Sequence, residues 1–217
     1  MHEDFGLKAA RRITVKKAKL KVEASPEPAV PELAGSLNAA DKRFAVVVSR
    51  FNAFITERLL LSACDGLSRS GATRNDIAVV RVPGAFEIPL AARTLAETGK
   101  YDAIICIGCL LRGDTAHYDV IVNEVTRGIG QSAQETGVPH AFGVLTCDTL
   151  EQAIDRAGLK MGNKGFEAAL AAVEMANLRT AVSSQLSAVS ENGPKPRVPA
   201  LGKRKSATTS RQRKPRS

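Results

Sequence analysis

Tryptophan is absent from this chain of 217 residues, and aromatic side chains make up only 4% of it. Because rings are so scarce, each phenylalanine that falls in a turn is a candidate for contact with a ligand. Residues 1–22 also lack a sustained apolar run, so we expect neither a secretory signal nor a membrane span there. Glu3, Asp4 and the lack of serine in the same segment argue against an organelle transit peptide.

Motifs for nucleophilic, nucleotide and metal chemistry are missing as well. The sequence has no Gly-x-Ser-x-Gly elbow, no Walker loop and no cluster of metal ligands. Gly128 and Gly130 lack the third glycine and the preceding strand of a dinucleotide fingerprint. We therefore expect no metal and no cofactor, and any catalysis would depend on positioning and proton transfer.

The four cysteines, Cys64, Cys106, Cys109 and Cys147, lie in apolar segments, as is typical of reduced core thiols in a cytoplasmic protein. Cys106 and Cys109 have the spacing of a redox or zinc pair. Residues three apart in a strand face opposite sides, however, and no second pair occurs. The sequence therefore predicts a cytoplasmic protein whose cysteines belong to its core.

Charge is unevenly distributed along the chain. The formal net charge is +9, yet residues 23–193 hold 15 basic and 20 acidic side chains, so the excess lies at the two ends. We predict a basic N-terminal extension with a Pro-rich linker (1–32), one α/β domain (33–186) and a basic, disordered tail (187–217). The tail has no aromatic residue to stack on bases, which favours a solvated end over nucleic-acid binding.

In the predicted domain, short apolar runs alternate with segments whose apolar residues recur at helical spacing. Strands are expected at residues 43–49, 77–82, 103–108 and 139–146. Helices are expected to begin near Phe54, Pro89, Ala116, Thr149 and Lys164, with the last ending near Leu178. This order predicts a three-layer, doubly wound α/β fold, in which helices flank a four-stranded parallel sheet of flavodoxin-like order.

Each predicted strand ends in a turn that carries an unusual residue, and these turns meet at one edge of a parallel sheet. Phe51 could stack there on a planar ring, and Glu87 could accept hydrogen bonds from hydroxyl groups. The turn with Asp114 and Thr115 offers N–H and hydroxyl donors to an anion, beside the imidazole of His117. The alternative is that this turn only caps a helix and that His117 is a solvated surface residue.

Arg156, late in the fourth predicted helix, has two interpretations. It could make a bidentate contact with a phosphate, or it could lie on the surface of an amphipathic helix. A planar ring and a phosphate would suit a condensation better than hydride or metal chemistry.

Five linked motifs, found in order between about residues 33 and 178, resemble the lumazine synthase family. They are residues 49–52 with Ile55 and Thr56, residues 82–89, residues 108–118, residues 142–146, and residues 156–158 with 162–165. The sequence departs from the family pattern at Leu110 and Leu111, where a β-branched residue is often found, and in its two basic ends.

The resemblance implies a cofactor-free condensation of 5-amino-6-(D-ribitylamino)uracil with 3,4-dihydroxy-2-butanone 4-phosphate, the penultimate step of riboflavin biosynthesis. It implies that His117 moves protons and that three residues bind the phosphate, namely Asp114, Thr115 and Arg156. It further implies that the uracil substrate is bound by Phe51, Ala85, Phe86, Glu87, Cys109, Leu110, Leu111 and Phe142, with Lys164 in support. Phe142, Arg156 and Lys164 would come from the neighbouring subunit.

The resemblance also implies a homo-oligomer. Family members form pentamers, and in some of them twelve pentamers form an icosahedral shell, which could hold a riboflavin synthase as cargo. The short link between residues 158 and 164 favours the shell-forming type. Three rivals stay open: a riboflavin synthase of the archaeal type, a flavin or pterin carrier, and a shell whose basic tails package nucleic acid.

Overall fold

The computed structural model describes residues 32–192, with side chains as far as residue 185. Its centre is a sheet of four parallel strands, β1 (Phe44–Ser49), β2 (Ile77–Val82), β3 (Ala103–Leu111) and β4 (His140–Cys147). The strand order is β2-β1-β3-β4, so the flavodoxin-like prediction is confirmed. The chain crosses from one side of β1 to the other between β2 and β3, which creates a switch point at the carboxyl ends of β1 and β3.

Five helices flank the sheet: α1 (Ala53–Arg69), α2 (Ile88–Glu97), α3 (His117–Thr136), α4 (Leu150–Arg156) and α5 (Lys164–Asn192). Local signals explain several of their ends. Pro89 lies in the first turn of α2, where its missing N–H costs nothing, and the Thr149 hydroxyl caps α4 by accepting a hydrogen bond from the Gln152 N–H. None of these helices is long and apolar enough to cross a membrane.

The alternation of side chains along each strand divides the core into two halves. On β1, Phe44, Val46 and Val48 pack towards α1, α4 and α5, while Ala45 and Val47 pack towards α2 and α3. All five side chains are fully buried, because helices cover both faces of the sheet. Cys106 and Cys109 lie in opposite halves, as predicted from their spacing.

Two predicted element ends were wrong. β3 continues past Gly108, because residues 109–111 remain paired with residues 145–147 of β4. α5 continues past Leu178 to Asn192, and thus includes residues 187–192, which had been assigned to the tail. Residues 179–192 contain neither Gly nor Pro, and the helix ends directly before Gly193 and Pro194. The other predicted features of residues 1–31 and 193–217 lie outside the described residues.

Candidate active site

A cleft of about 500 Å³ opens at the carboxyl ends of β1, β2 and β3, beside the switch point of the sheet. Its walls are the turns that follow these three strands and the first turns of α3. Eight of the predicted site residues line it: Phe51, Ala85, Phe86, Cys109, Leu110, Leu111, Thr115 and His117. The structure therefore brings together residues that are far apart in the chain.

The turn after β1 is held in place by Asn52. Its backbone is in the left-handed region (φ 60°), and its side-chain amide donates a hydrogen bond of 2.8 Å to the Cys109 carbonyl on β3. The Phe51 N–H donates to the Pro83 carbonyl at 3.1 Å, which fixes the same turn to the end of β2. Asn52 also lines the cleft, although the sequence analysis did not single it out.

Two phenyl rings stand exposed in this cleft. Phe51 is 70% exposed and Phe86 is 56% exposed, in a chain that has only seven phenylalanines. Exposed apolar side chains that lie together, as these two do in one cleft, are typical of binding surfaces. The rings offer flat faces on which a planar heterocycle can stack.

Glu87 ends the short 3₁₀ turn Ala85–Glu87, which connects β2 to α2. Its carboxylate accepts a hydrogen bond of 2.9 Å from the Gly84 N–H within the same turn. Glu87 is not among the residues that line the cleft. In this structure its carboxylate supports the turn that carries Ala85 and Phe86, and its contact with a ribityl chain stays a prediction.

The turn between β3 and α3 brings an imidazole to the mouth of the cleft. His117 is the first residue of α3, and its side chain is exposed. Gly113 and Thr115 line the cleft beside it, whereas Asp114 does not. The N–H groups at the start of a helix have no partner within the helix, so this turn can bind an anion.

A second pocket, of about 230 Å³, is lined by residues 142–146 of β4 together with Arg156 and Lys164. The side chains of both cations are half-buried. Arg156 donates to the Gln152 carbonyl at 3.3 Å, and Lys164 pairs with Glu167 at 2.5 Å. The three residues expected from a neighbouring subunit, Phe142, Arg156 and Lys164, therefore lie together, apart from the cleft.

The thiols of Cys106 and Cys109 are poorly suited to act as nucleophiles. Cys109 contributes to its wall but is only 1% exposed, and burial raises the pKa of its thiol to about 12. Burial likewise raises the pKa of Cys106 to about 12. Both thiols are therefore protonated at neutral pH and are poor nucleophiles.

Sequence reasoning missed Arg112. Its guanidinium pairs with Asp148 at 2.7 Å and with Asp119 at 3.1 Å, and it lies 4.2 Å from the centroid of the Tyr118 ring. Asp148 is 36 residues further along the chain, so no local spacing could reveal this contact. The only available signal was the position of Arg112 at the start of the predicted anion-binding turn.

Comparison with known proteins agrees with this geometry. Residues 41–180 match the model of the family described as 6,7-dimethyl-8-ribityllumazine synthase. A protein of that name from Desulfotalea psychrophila (strain LSv54 / DSM 12343) is 60% identical over 144 residues, which are 66% of this chain and 93% of that protein. Another, from Chlorobium luteolum (strain DSM 273 / BCRC 81028 / 2530), is 54% identical over 149 residues, which are 69% of this chain and 96% of that protein.

These names favour the lumazine synthase prediction over its rivals. Neither relative is named as a riboflavin synthase, a flavin carrier or a nucleic-acid-binding shell. The match also spans all four strands and the cleft between them. The chain therefore belongs to the 6,7-dimethyl-8-ribityllumazine synthase family of transferases.

Proposed function

We propose that this protein condenses 5-amino-6-(D-ribitylamino)uracil with 3,4-dihydroxy-2-butanone 4-phosphate to form 6,7-dimethyl-8-ribityllumazine. The amino group of the uracil attacks the ketone carbon, and loss of water leaves a Schiff base. The carbinol carbon next to the Schiff base then loses its proton, and the electrons of that C–H bond form a C=C bond as the C–O bond to the phosphate breaks and phosphate leaves with the bonding electrons. The resulting enol takes up a proton at its terminal carbon, which gives a methyl group and a new carbonyl group. The ribitylamino nitrogen attacks the remaining carbonyl carbon, and loss of a second water closes the ring.

One observation carries the proposal: Phe51, Phe86 and His117 line a single cleft in a chain of this family. The two exposed rings stack on the pyrimidine, and Ala85 contacts its edge. Glu87 binds the ribityl chain, while Cys109, Leu110 and Leu111 form the wall behind the ring. His117 takes and returns the protons that the Schiff base and ring closure require.

Phosphate is bound at the turn with Asp114 and Thr115, through N–H and hydroxyl donors at the start of α3. The charge of the phosphate also needs a cation, and the described residues that line the cleft include no Lys or Arg. Arg156 of a neighbouring subunit supplies it, with Phe142 and Lys164 from the same second pocket. In a single chain, Arg156 and Lys164 lie in a different pocket from the cleft, which supports a site shared between two subunits.

The proposed site therefore requires a homo-oligomer. The protein forms cytoplasmic pentamers, and the short link between α4 and α5 favours their assembly into a sixty-subunit icosahedral shell, with a riboflavin synthase as the cargo it could enclose. The catalytic domain begins near residue 33 and extends to the end of α5 at Asn192, beyond the boundary expected at residue 186. Light scattering should give the mass of a pentamer or a larger assembly, and a monomer mass would contradict this part of the proposal.

Absorbance of the lumazine product tests the reaction directly. The purified protein is mixed with both substrates, and product formation above the uncatalysed rate is expected. Two controls omit one substrate each. A protein that instead converts supplied lumazine into riboflavin would be a riboflavin synthase, and one that binds the product without forming it would be a carrier.

A mixed-subunit experiment tests whether one site uses two chains. His117→Ala removes the proton carrier of the cleft, and Arg156→Ala removes the cation of the second pocket. Each variant alone should lose most activity, but coexpression in equal amounts should restore about one quarter of the sites, since a cleft with His117 then meets a neighbour with Arg156. No recovery in mixed assemblies would mean that both residues act within one chain.

A further inference from the structure

Arg112 lies in the chain between Leu111 and Gly113, two residues that line the cleft. It follows the last residue of β3, and its N–H donates a hydrogen bond of 2.9 Å to the Cys147 carbonyl at the end of β4. Its Nε donates to Asp148 at 2.7 Å, and its Nη1 donates to both carboxylate oxygens of Asp119, at 3.1 and 3.2 Å. One side chain thus connects three segments of the carboxyl edge.

The first connection spans the anion-binding turn. Arg112 precedes residues 113–116, and Asp119 lies beyond them in the first turn of α3, two residues after His117. Tyr118 lies between His117 and Asp119 in the chain, and its side chain is buried. The Arg112 guanidinium lies 4.2 Å from the centroid of the Tyr118 ring, within cation–π range. The contacts of Arg112 therefore hold the two ends of the turn together and orient the start of α3.

The second connection runs towards Arg156. Asp148 lies in the turn between β4 and α4, and its N–H donates to the Gln152 side chain at 2.9 Å. Gln152 is on α4, and its carbonyl accepts from Arg156 at 3.3 Å. The guanidinium of Arg112 is thus linked through Asp148 and Gln152 to the cation of the second pocket.

We infer that Arg112 is a positioning residue, which holds His117 and the β4–α4 turn in the geometry that the reaction needs. The inference rests on the proposed function. Arg112 contacts neither substrate; it acts through Asp119, Tyr118 and Asp148. Its planar fork, with donors on several sides, can hold two carboxylates at once, whereas the ammonium of a lysine acts as a single point of charge. Because exposed ion pairs contribute little to stability, the main effect falls on catalysis.

The chain offers a matched control in Arg93. Both arginines are 44% exposed, and Arg93 also pairs with two carboxylates from different helices, Glu97 on α2 and Glu135 on α3. Neither arginine lines the cleft or the second pocket, but Arg112 adjoins two cleft-lining residues in the chain, whereas Arg93 lies within α2. Arg112→Gln and Arg93→Gln remove the same charge and the same number of acidic partners, so they separate positioning from the general loss of an ion-pair network.

Steady-state kinetics of the assembled enzyme should distinguish the two variants. Arg112→Gln is expected to lower kcat at least about tenfold and to raise the KM of the phosphate substrate, with the KM of the uracil substrate changed less than about twofold. Arg93→Gln should match wild type. Arg112→Lys should recover only part of kcat. Equal kinetics of the two Gln variants, full recovery by lysine, or equal increases in both KM values would overturn the inference.

Two further measurements cover other outcomes. If Arg112→Gln fails to assemble, Asp119→Ala removes one partner of Arg112 and leaves the arginine in place, and a kcat equal to wild type would then overturn the inference. Hydrogen exchange at residues 113–117 needs no turnover: it should be faster in Arg112→Gln than in wild type and unchanged in Arg93→Gln. Unchanged exchange in both variants would reject the positioning role, whereas an inactive wild-type enzyme would reject only the proposed function.

Discussion

The side-chain amide of Asn52 donates a hydrogen bond of 2.8 Å to the backbone carbonyl of Cys109. This contact joins the ends of β1 and β3, the two strands at which the sheet reverses its order. The turn that carries Phe51 is thereby attached to the strand end that forms the wall of the cleft. This bond therefore fixes the position of Phe51 relative to the strand end that forms the wall of the cleft.

Replacing Asn52 should separate its two structural roles. Asn52→Gly keeps the left-handed backbone and loses the hydrogen bond, so we expect the free energy of unfolding to fall by about 1 kcal/mol. Asn52→Ala also forces alanine into the left-handed region, at a further cost of about 1–2 kcal/mol. Urea unfolding at one protein concentration measures both. Equal losses in the two variants would show that the backbone conformation relaxes.

Arg156→Ala should act on one substrate only. Loss of a charge-assisted contact should weaken use of the phosphate substrate by about 2–4 kcal/mol in kcat/KM, while the KM of the uracil substrate stays near wild type. The side chain donates within its own subunit only to the Gln152 carbonyl, among the described contacts, so its removal should leave the fold intact. Steady-state kinetics with each substrate varied in turn provides the measurement. An effect confined to the uracil substrate would refute the assignment.

Gly128 and Gly130, two residues apart on α3, should respond in opposite directions to alanine. A Cβ on Gly128 would lie 2.8 Å from Pro89 Cβ, and the proline ring cannot rotate away, so Gly128→Ala should lower the free energy of unfolding by about 1–3 kcal/mol. A Cβ on Gly130 meets no described atom within 4 Å, so Gly130→Ala should raise it by about 0.5–1 kcal/mol. Thermal unfolding of both variants beside wild type tests the pair. A destabilised Gly130→Ala would indicate that another subunit packs at that position.

His140 should make stability depend on pH. Burial lowers the pKa of its imidazole below the ordinary value of 6.5. Its Nδ1–H donates to the Val138 carbonyl at 2.8 Å, which leaves Nε2 to accept from the Ser132 hydroxyl at 2.9 Å, as the neutral ring does. The unfolded chain therefore binds a proton more readily than the folded one, and the contribution to stability is complete above about pH 7 and is lost as pH falls through 6.5 and below.

His140→Gln should flatten this decline, and thermal unfolding between about pH 7.5 and 5 measures it. His117→Gln is the matched control for the loss of one histidine, because that side chain is exposed. A wild-type midpoint that rises on acidification, or an unchanged slope in His140→Gln, would contradict the prediction.

The four strands were predictable because each is a short apolar run, and helices cover both faces of the two central strands, β1 and β3. Phe44, Val46 and Val48 face one half of the core, and Ala45 and Val47 face the other, so the pattern is continuous and easily recognised. The turns at the strand ends were predictable for a related reason, because the parallel order directs all of them to one edge. Phe51, Thr115 and His117 were identified in this way, whereas Cys109, Leu110 and Leu111 were expected only from the family resemblance.

The end of α5 could have been predicted from the local sequence, although the prediction ended this helix too early. No Gly or Pro interrupts the chain between Leu178 and Asn192, so nothing in these residues requires the helix to end earlier. The prediction ended the helix near residue 178 and began the tail at residue 187, where the composition changes. Residues 187–192 are helical, so the change of composition near residue 187 does not mark the end of the helix.

The amino-acid sequence by itself determined the strands, the edge of the sheet at which the cleft opens and the family, because these depend on local periodicity and on motifs of fixed spacing. Only the tertiary structure decided that Glu87 turns back to Gly84, that the cleft and the cations of Arg156 and Lys164 form separate pockets, and that Arg112 holds Asp119 and Asp148 together. Side-chain direction and contacts between distant segments depend on how the elements pack, and no local pattern encodes them.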